Sequence, residues 1–228
     1  MVEAMTLDPS KRLPPRKGET LFRADLRDWI NNACLGQGDD YACREGYRRG
    51  AQVLVQAVGD AGHDQDFLVY PIVFLYRHYI ELVLKEIIRR APYLVERDLN
   101  ADEKRHLEGH RLDFLWNDFK PLSSAIAKVG GWDNLPSEDI HGIDDYIRQI
   151  SEVDPNSYSL RYAYSKKGDP TLPESLTHIN LRHFGELMDR LANYLWGIDM
   201  GISALEDMKH DYESEMASYA DDYYGDYY

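Results

Sequence analysis

Apolar residues recur at helical spacing along most of this chain, and sustained strand-like alternation is missing. Phe22, Leu26, Trp29 and Ile30 fall on one face of a helix predicted over about 20–33, which the glycines at 36 and 38 break. Asp39 or Asp40 is placed to cap a second helix that reaches Gly59, with Tyr47, Leu54, Val55 and Val58 on its apolar side. A third helix, about 67–90, is apolar nearly all round at its start and is expected to be the most buried. Ala91-Pro92 is expected to stop it, because proline lacks the N–H that the next turn needs.

Asn100 and Glu103 have capping-box spacing, so a short helix is predicted over 101–108, ended by Gly109. From His110 onward, Leu112, Leu115, Trp116 and Phe119 make an i, i+3, i+4, i+7 stripe, which Pro121 is expected to kink or restart. A further helix over 137–150 points Ile140, Ile143, Ile147 and Ile150 inward. Residues 151–177 are rich in Pro, Gly, Tyr and Ser and read as a long loop with room for a short strand pair. The last helix, about 178–214, carries Phe184, Leu187, Leu191, Leu195, Ile198 and Ile202 on one stripe. The fold class is all-α, a helical bundle.

Composition narrows the function classes. At 228 residues the chain is one domain with tails, with 43% apolar and 29% charged residues. A net charge of −14 excludes diffuse electrostatic attachment to nucleic acid or an anionic membrane, so any RNA contact needs a local basic pocket. The two cysteines, Cys34 and Cys43, have no metal or redox spacing and read as reduced thiols of a cytoplasmic protein. No cofactor or metal is expected. The first ten residues lack the apolar centre of a signal peptide, and the longest apolar run, broken by Pro71, is too short to span a bilayer. Half of the charge lies in 206–228, where eight acids accompany one lysine and six of the 17 tyrosines. The expected organisation is a flexible basic arm at 1–18, a helical domain over 19–213 and an acidic, Tyr-rich disordered tail at 214–228.

Three clusters carry candidate chemistry. Arg105-His106 and His110 form an Arg-x4-His spacing suited to cleaving an RNA phosphodiester, where His moves protons and Arg holds phosphate oxygens. The same residues also fit a helix-end arginine and a histidine that caps the next helix. Arg77, Glu81 and Lys85 lie at i, i+4, i+8 on the most apolar helix. They form either an intrahelical ion ladder facing solvent or, with His78, the lining of a polar pocket shared with His110. Arg161, Tyr162, Tyr164, Lys166 and Lys167 make a basic aromatic patch that either guides an RNA strand or packs its rings on the bundle. Arg182-His183 reads as surface decoration.

The stretch from Glu81 to Lys85, followed by Gly109-His110-Arg111-Leu112 and Leu115, resembles the core of the HEPN superfamily. Residues 70–78, Asp154-Pro155-Asn156-Ser157 and Arg161-Tyr162 are similar to bacterial HEPN-like proteins, so the resemblance covers about 40–205. It implies an up-and-down helical bundle and metal-independent ribonuclease activity from an Arg-x4-6-His motif, composed across a homodimer in a toxin–antitoxin or anti-phage setting. Arg105 and His110 take the motif ends and His106 the polar position. Arg77 and His78 would line the same pocket, and Arg161, Lys166 and Lys167 would guide the strand. The protein partner is expected to be an antitoxin, a nucleotidyltransferase or a defence ATPase. The alternative is a non-catalytic interaction subunit that docks a partner through its acidic Tyr-rich tail.

Overall fold

The computed structural model describes residues 17, 18, 20–36, 38 and 40–225, with side chains described through Tyr219. The chain divides into two compact units, 1–43 and 44–228. The basic arm expected at 1–18 lies outside the described residues except for Lys17 and Gly18.

In the first unit the helix expected over 20–33 is not α-helical; only a 3-10 helix, Leu26–Asn31, forms. Phe22, Leu26, Trp29 and Ile30 are 93%, 91%, 74% and 76% exposed, so the stripe buries nothing. Local side chains take over the backbone groups. Asp25 accepts from the Arg27 N–H at 2.9 Å, Asn32 bonds the Asp25 carbonyl at 2.8 Å, and Asp28 leaves helical geometry. Asp and Asn compete with helix in this way, and a short helix without a packed face is marginal.

The second unit is helical. Its elements are α1 (Asp40–Ala61, of which residues 44–61 belong to this unit), α2 (Gln65–Val95), α3 (Ala101–Glu108), α4 (Leu112–Gly130), α5 (Ser137–Val153) and α6 (Leu181–Gly225). Helix makes up 71% of the structure, and no strand forms among the described residues. The strand pair expected in the loop is a single bridge, Tyr164 to Pro170, within a loop that runs over 154–180.

Helix α2 is the centre, as its pattern predicts. Ile72, Tyr76, Ile80, Leu84 and Ile87 are completely buried, packed by α4 on one side and α6 on another. The whole predicted stripe of α4 is buried, with Trp116 stacked on Phe119. The Trp116 indole N–H and Lys120 both donate to Asp144, at 2.6 and 2.9 Å, and so hold α5. On α5, Ile143 and Ile147 are buried while Ile140 and Ile150 are partly so. Helix α1 comes close to α6, since a Cβ on Gly185 would stand 3.2 Å from Val55. Arg44 joins α1 to Glu86 and Asp199 at 2.7 and 2.5 Å, and Arg90 reaches Asp199 and Glu206 at 2.5 Å each.

Three expectations need correction. Pro92 does not stop α2, which continues to Val95 because Ala91 and Leu94 on the last turn are buried in the core. The tail expected to be disordered from 214 continues as helix to Gly225. No glycine or proline intervenes before 225, and extending an existing helix avoids the cost of nucleation. Finally, at 31 residues α2 is long and apolar enough to cross a bilayer by composition, although half of its most apolar stretch is buried in the bundle. The apolar surplus of α2 is spent inside its own bundle, with Phe67 and Tyr70 left exposed.

The expected far-UV circular dichroism spectrum is strongly helical. Leu115→Ala, which empties a fully buried site, is expected to cost about 2–5 kcal/mol in urea denaturation.

Candidate active site

The spacing of Arg77, Glu81 and Lys85 puts them on one line of α2, the most buried helix. Their side chains are 1%, 1% and 9% exposed, so the ladder does not face solvent. Charges buried this deeply require partners. Glu81 Oε2 accepts from Arg77 Nη1 at 2.8 Å, and Oε1 accepts from Lys85 Nζ at 2.9 Å. The same Oε1 lies 2.8 Å from Nδ1 of His110, which the α3–α4 joint brings across. Arg77 completes the closure, with Nη2 donating to the His110 carbonyl at 2.5 Å and Nε to the Asp154 carbonyl at 3.1 Å. Asp154 is itself buried and caps the following turn, accepting from the N–H groups of Tyr158 and Ser159 at 2.6 and 2.9 Å.

Burial alone would push the Glu81 carboxyl up. Hydrogen bonds from Lys85, His110 and Arg77 overcome that and hold its pKa at about 2. Glu81 is therefore ionised near neutral pH and can only accept. The proton between it and the imidazole then belongs to Nδ1, so that in the neutral ring the lone pair lies on Nε2. The His110 side chain is 53% exposed, so a substrate can reach it.

His78 stands beside this network. Burial lowers its pKa; Glu81 opposes the shift, while Arg77, Lys85 and His110 add to it, so the ring is neutral near pH 7. It stacks on Phe74 at 5.6 Å and meets Tyr47 edge-on at 4.5 Å. The Arg161 guanidinium lies 5.6 Å over the other partner of that stack, Phe74, and Nε donates to the Ser157 carbonyl at 2.6 Å. Arg161 thus comes to the His78 side of α2. Lys166 and Lys167 sit in the exposed turn before Gly168, with Tyr162 stacked on Tyr158 rather than free.

The structure therefore joins Arg77 to His110, with His78 beside them and Arg161 over the Phe74 ring that stacks on His78, but it does not join the ends of the Arg-x4-His spacing. Gly109 is extended and ends α3, so residues 105 and 110 are not on one helix. Arg105 is 69% exposed and pairs with Asp102 at 2.7 Å. His106 bonds Asp118 at 2.7 Å and leans on Phe114. The solvent-facing ladder is not what forms: Arg77 is buried and donates to the His110 carbonyl. Glu81 and Asp154 are site residues that the motif search passes over. Glu81 was visible in the charged i, i+4, i+8 line, whereas only the fold brings Asp154 to Arg77.

Among the described residues, no three His, Cys, Asp or Glu side chains converge in a group that could hold a metal ion. None of the protein-family models, curated proteins or solved structures matches the chain.

Glu81→Ala leaves Arg77 and Lys85 buried without their acceptor and is expected to cost about 3–5 kcal/mol. The sign of the pH dependence follows from a carboxyl held below its ordinary 4.5: its contribution is complete above 4.5 and disappears as pH falls through about 2. In urea titrations, the gap between wild type and Glu81→Gln is expected to be widest near neutrality and to close below 4.5.

Proposed function

We propose that this chain is a HEPN-like, metal-independent ribonuclease effector of a bacterial toxin–antitoxin or anti-phage system, acting in the cytoplasm as a homodimer. One observation carries the reading: a half-exposed imidazole, His110, is fixed through Nδ1 by a buried carboxylate, that of Glu81. Carboxylate-oriented histidine is a general acid–base arrangement, and it acts without reorganising as charge develops. The all-α bundle and the HEPN-like pattern around Glu81 and His110 agree with the reading.

In the proposed reaction His110 Nε2 takes the proton of an RNA 2′-hydroxyl. The 2′-oxygen bonds to phosphorus, the bond from phosphorus to the 5′-oxygen breaks, and the imidazolium returns its proton to the leaving oxygen. Arg161 supplies charge for the phosphate, with Lys166 and Lys167 along the strand. Arg77 and Lys85 do not touch substrate in this scheme; they keep Glu81 ionised and His110 in register. Arg105, tied to Asp102 at the surface, has no part in it.

His110→Ala is expected to lower cleavage of single-stranded RNA by about 100- to 10,000-fold, with and without EDTA. Arg105→Ala is expected to leave the rate unchanged, and Arg161→Ala to raise KM more than it lowers kcat. A loss in Arg105→Ala equal to that in His110→Ala would return the site to the Arg-x4-His pair. If the wild type cleaves no RNA in a broad panel, the catalytic reading fails and the interaction-subunit reading takes its place.

A further inference from the structure

Helix α6 carries an apolar stripe that continues past the point where the bundle stops covering it. At 100° per residue, Tyr194, Gly197, Ile198, Gly201 and Leu205 share one side, and Met208, Tyr212, Met216 and Tyr219 extend it without a break. Tyr194, Gly197, Ile198 and Gly201 line a cavity of about 650 Å³ whose other side is formed by Ile126, Trp132 and Leu135. The second part is bare: Met208, Tyr212, Met216 and Tyr219 are 68%, 64%, 51% and 62% exposed.

The bare stripe is anchored over its first half, as far as Glu213. Its helix is tied to the last turn of α2 from the adjacent side. Arg90 holds Glu206 at 2.5 Å, Lys209 donates to the Tyr93 carbonyl and to Glu96 at 2.7 and 2.8 Å, and Tyr93 donates to Glu213 at 2.9 Å. The cavity is also built. A Cβ on Gly201 would stand 3.1 Å from the Trp132 ring and one on Gly130 only 3.0 Å, so those glycines give the indole its place. Nothing stands within 4 Å of a Cβ on Gly197, which opens the floor. From Gly197 to Tyr219 the stripe runs about 33 Å, the length of a helix of roughly 22 residues.

Charge selects the occupant. Of the five acids within 206–215, Glu206 and Glu213 are engaged by Arg90 and Tyr93, which leaves Asp207, Asp211 and Glu215 along the bare stretch, and Asp133 and Asp139 stand at the cavity with no Lys or Arg among its lining residues. A second copy would set this acidic surface against itself, and RNA would be repelled. We propose that the stripe and cavity are the docking groove for a basic amphipathic helix of a protein partner, with a large apolar side chain of that helix entering the cavity over Gly197 and its Lys or Arg residues meeting the flanking acids. This goes beyond the ribonuclease reading and does not depend on it.

The test uses the full chain and a synthetic Leu/Lys peptide of about 18 residues, with its leucines on one helical stripe, labelled for fluorescence anisotropy. A Glu-for-Lys analogue is the charge control. The Lys peptide is expected to bind saturably and to weaken as salt rises. The Glu analogue, Gly197→Leu (which projects a side chain into the cavity floor) and the double variant Met208→Ser/Tyr212→Ser are each expected to bind about tenfold or more weakly. Trp196→Ser, which removes an exposed indole outside the stripe, is expected to change nothing. All altered side chains are exposed or face open space, and circular dichroism checks that each variant is folded. Equal binding of the Glu analogue, or an equal loss in Trp196→Ser, would overturn the proposal. So would unchanged binding in Gly197→Leu or in the double variant. A wild-type dimer that the double variant alone converts to monomer would also overturn it, by giving the groove to a second copy.

Discussion

An apolar helix that carries three charges along one line cannot be buried until those charges are answered from elsewhere in the chain. Arg77, Glu81 and Lys85 satisfy one another only in part. Glu81 takes two of its hydrogen bonds within α2 and a third from His110, while Arg77 needs the carbonyls of His110 and Asp154. The α3–α4 joint and the start of the long loop are therefore fixed to α2 by polar geometry rather than by apolar packing. Leaving out any one member would strand a charge in a region of low dielectric, where an unmatched ion is far more costly than the pair is beneficial.

That same closure presents a histidine to solvent. The joint at 109–111 is tied into its two helices only at its ends, by Gly109 N–H to the His106 carbonyl and Leu115 N–H to the Arg111 carbonyl, and Glu81 orients the ring between them. A site at the end of a helix-to-helix turn is ordinarily mobile. Here the ring is tied to the most buried element of the bundle.

Much of the fold could be read from residue spacing. The Asn100–Glu103 capping box, the Leu112 to Phe119 stripe and the isoleucines of α5 stand where their periods place them, because each feature is local to one helix. Spacing also identified the Arg77, Glu81, Lys85 line but not its direction, since a helical period says which residues share a face and not what that face meets. The pairing of Arg105 with His110 misled for a related reason: a five-residue separation has a fixed geometry only within a helix, and Gly109 ends one. Pro92 and the early stretch around Trp29 failed in opposite senses. Core packing carried a helix through a proline, and a stripe that stays exposed formed only a short 3-10 helix.

The Arg44, Asp199 and Arg90 cluster has a consequence for the order in which the bundle assembles. It binds the first helix of the second unit to the last, and Arg44 and Asp199 are 155 residues apart. Closing a loop of that size costs about 4–5 kcal/mol of chain entropy before any contact forms. Pairs such as α3 with α4, or α4 with α5, close over a few tens of residues and can form early at little entropic cost. Docking of α6, with the ion cluster as its latch, then falls late, so the strength of that latch bears on how slowly the bundle opens more than on how fast it forms.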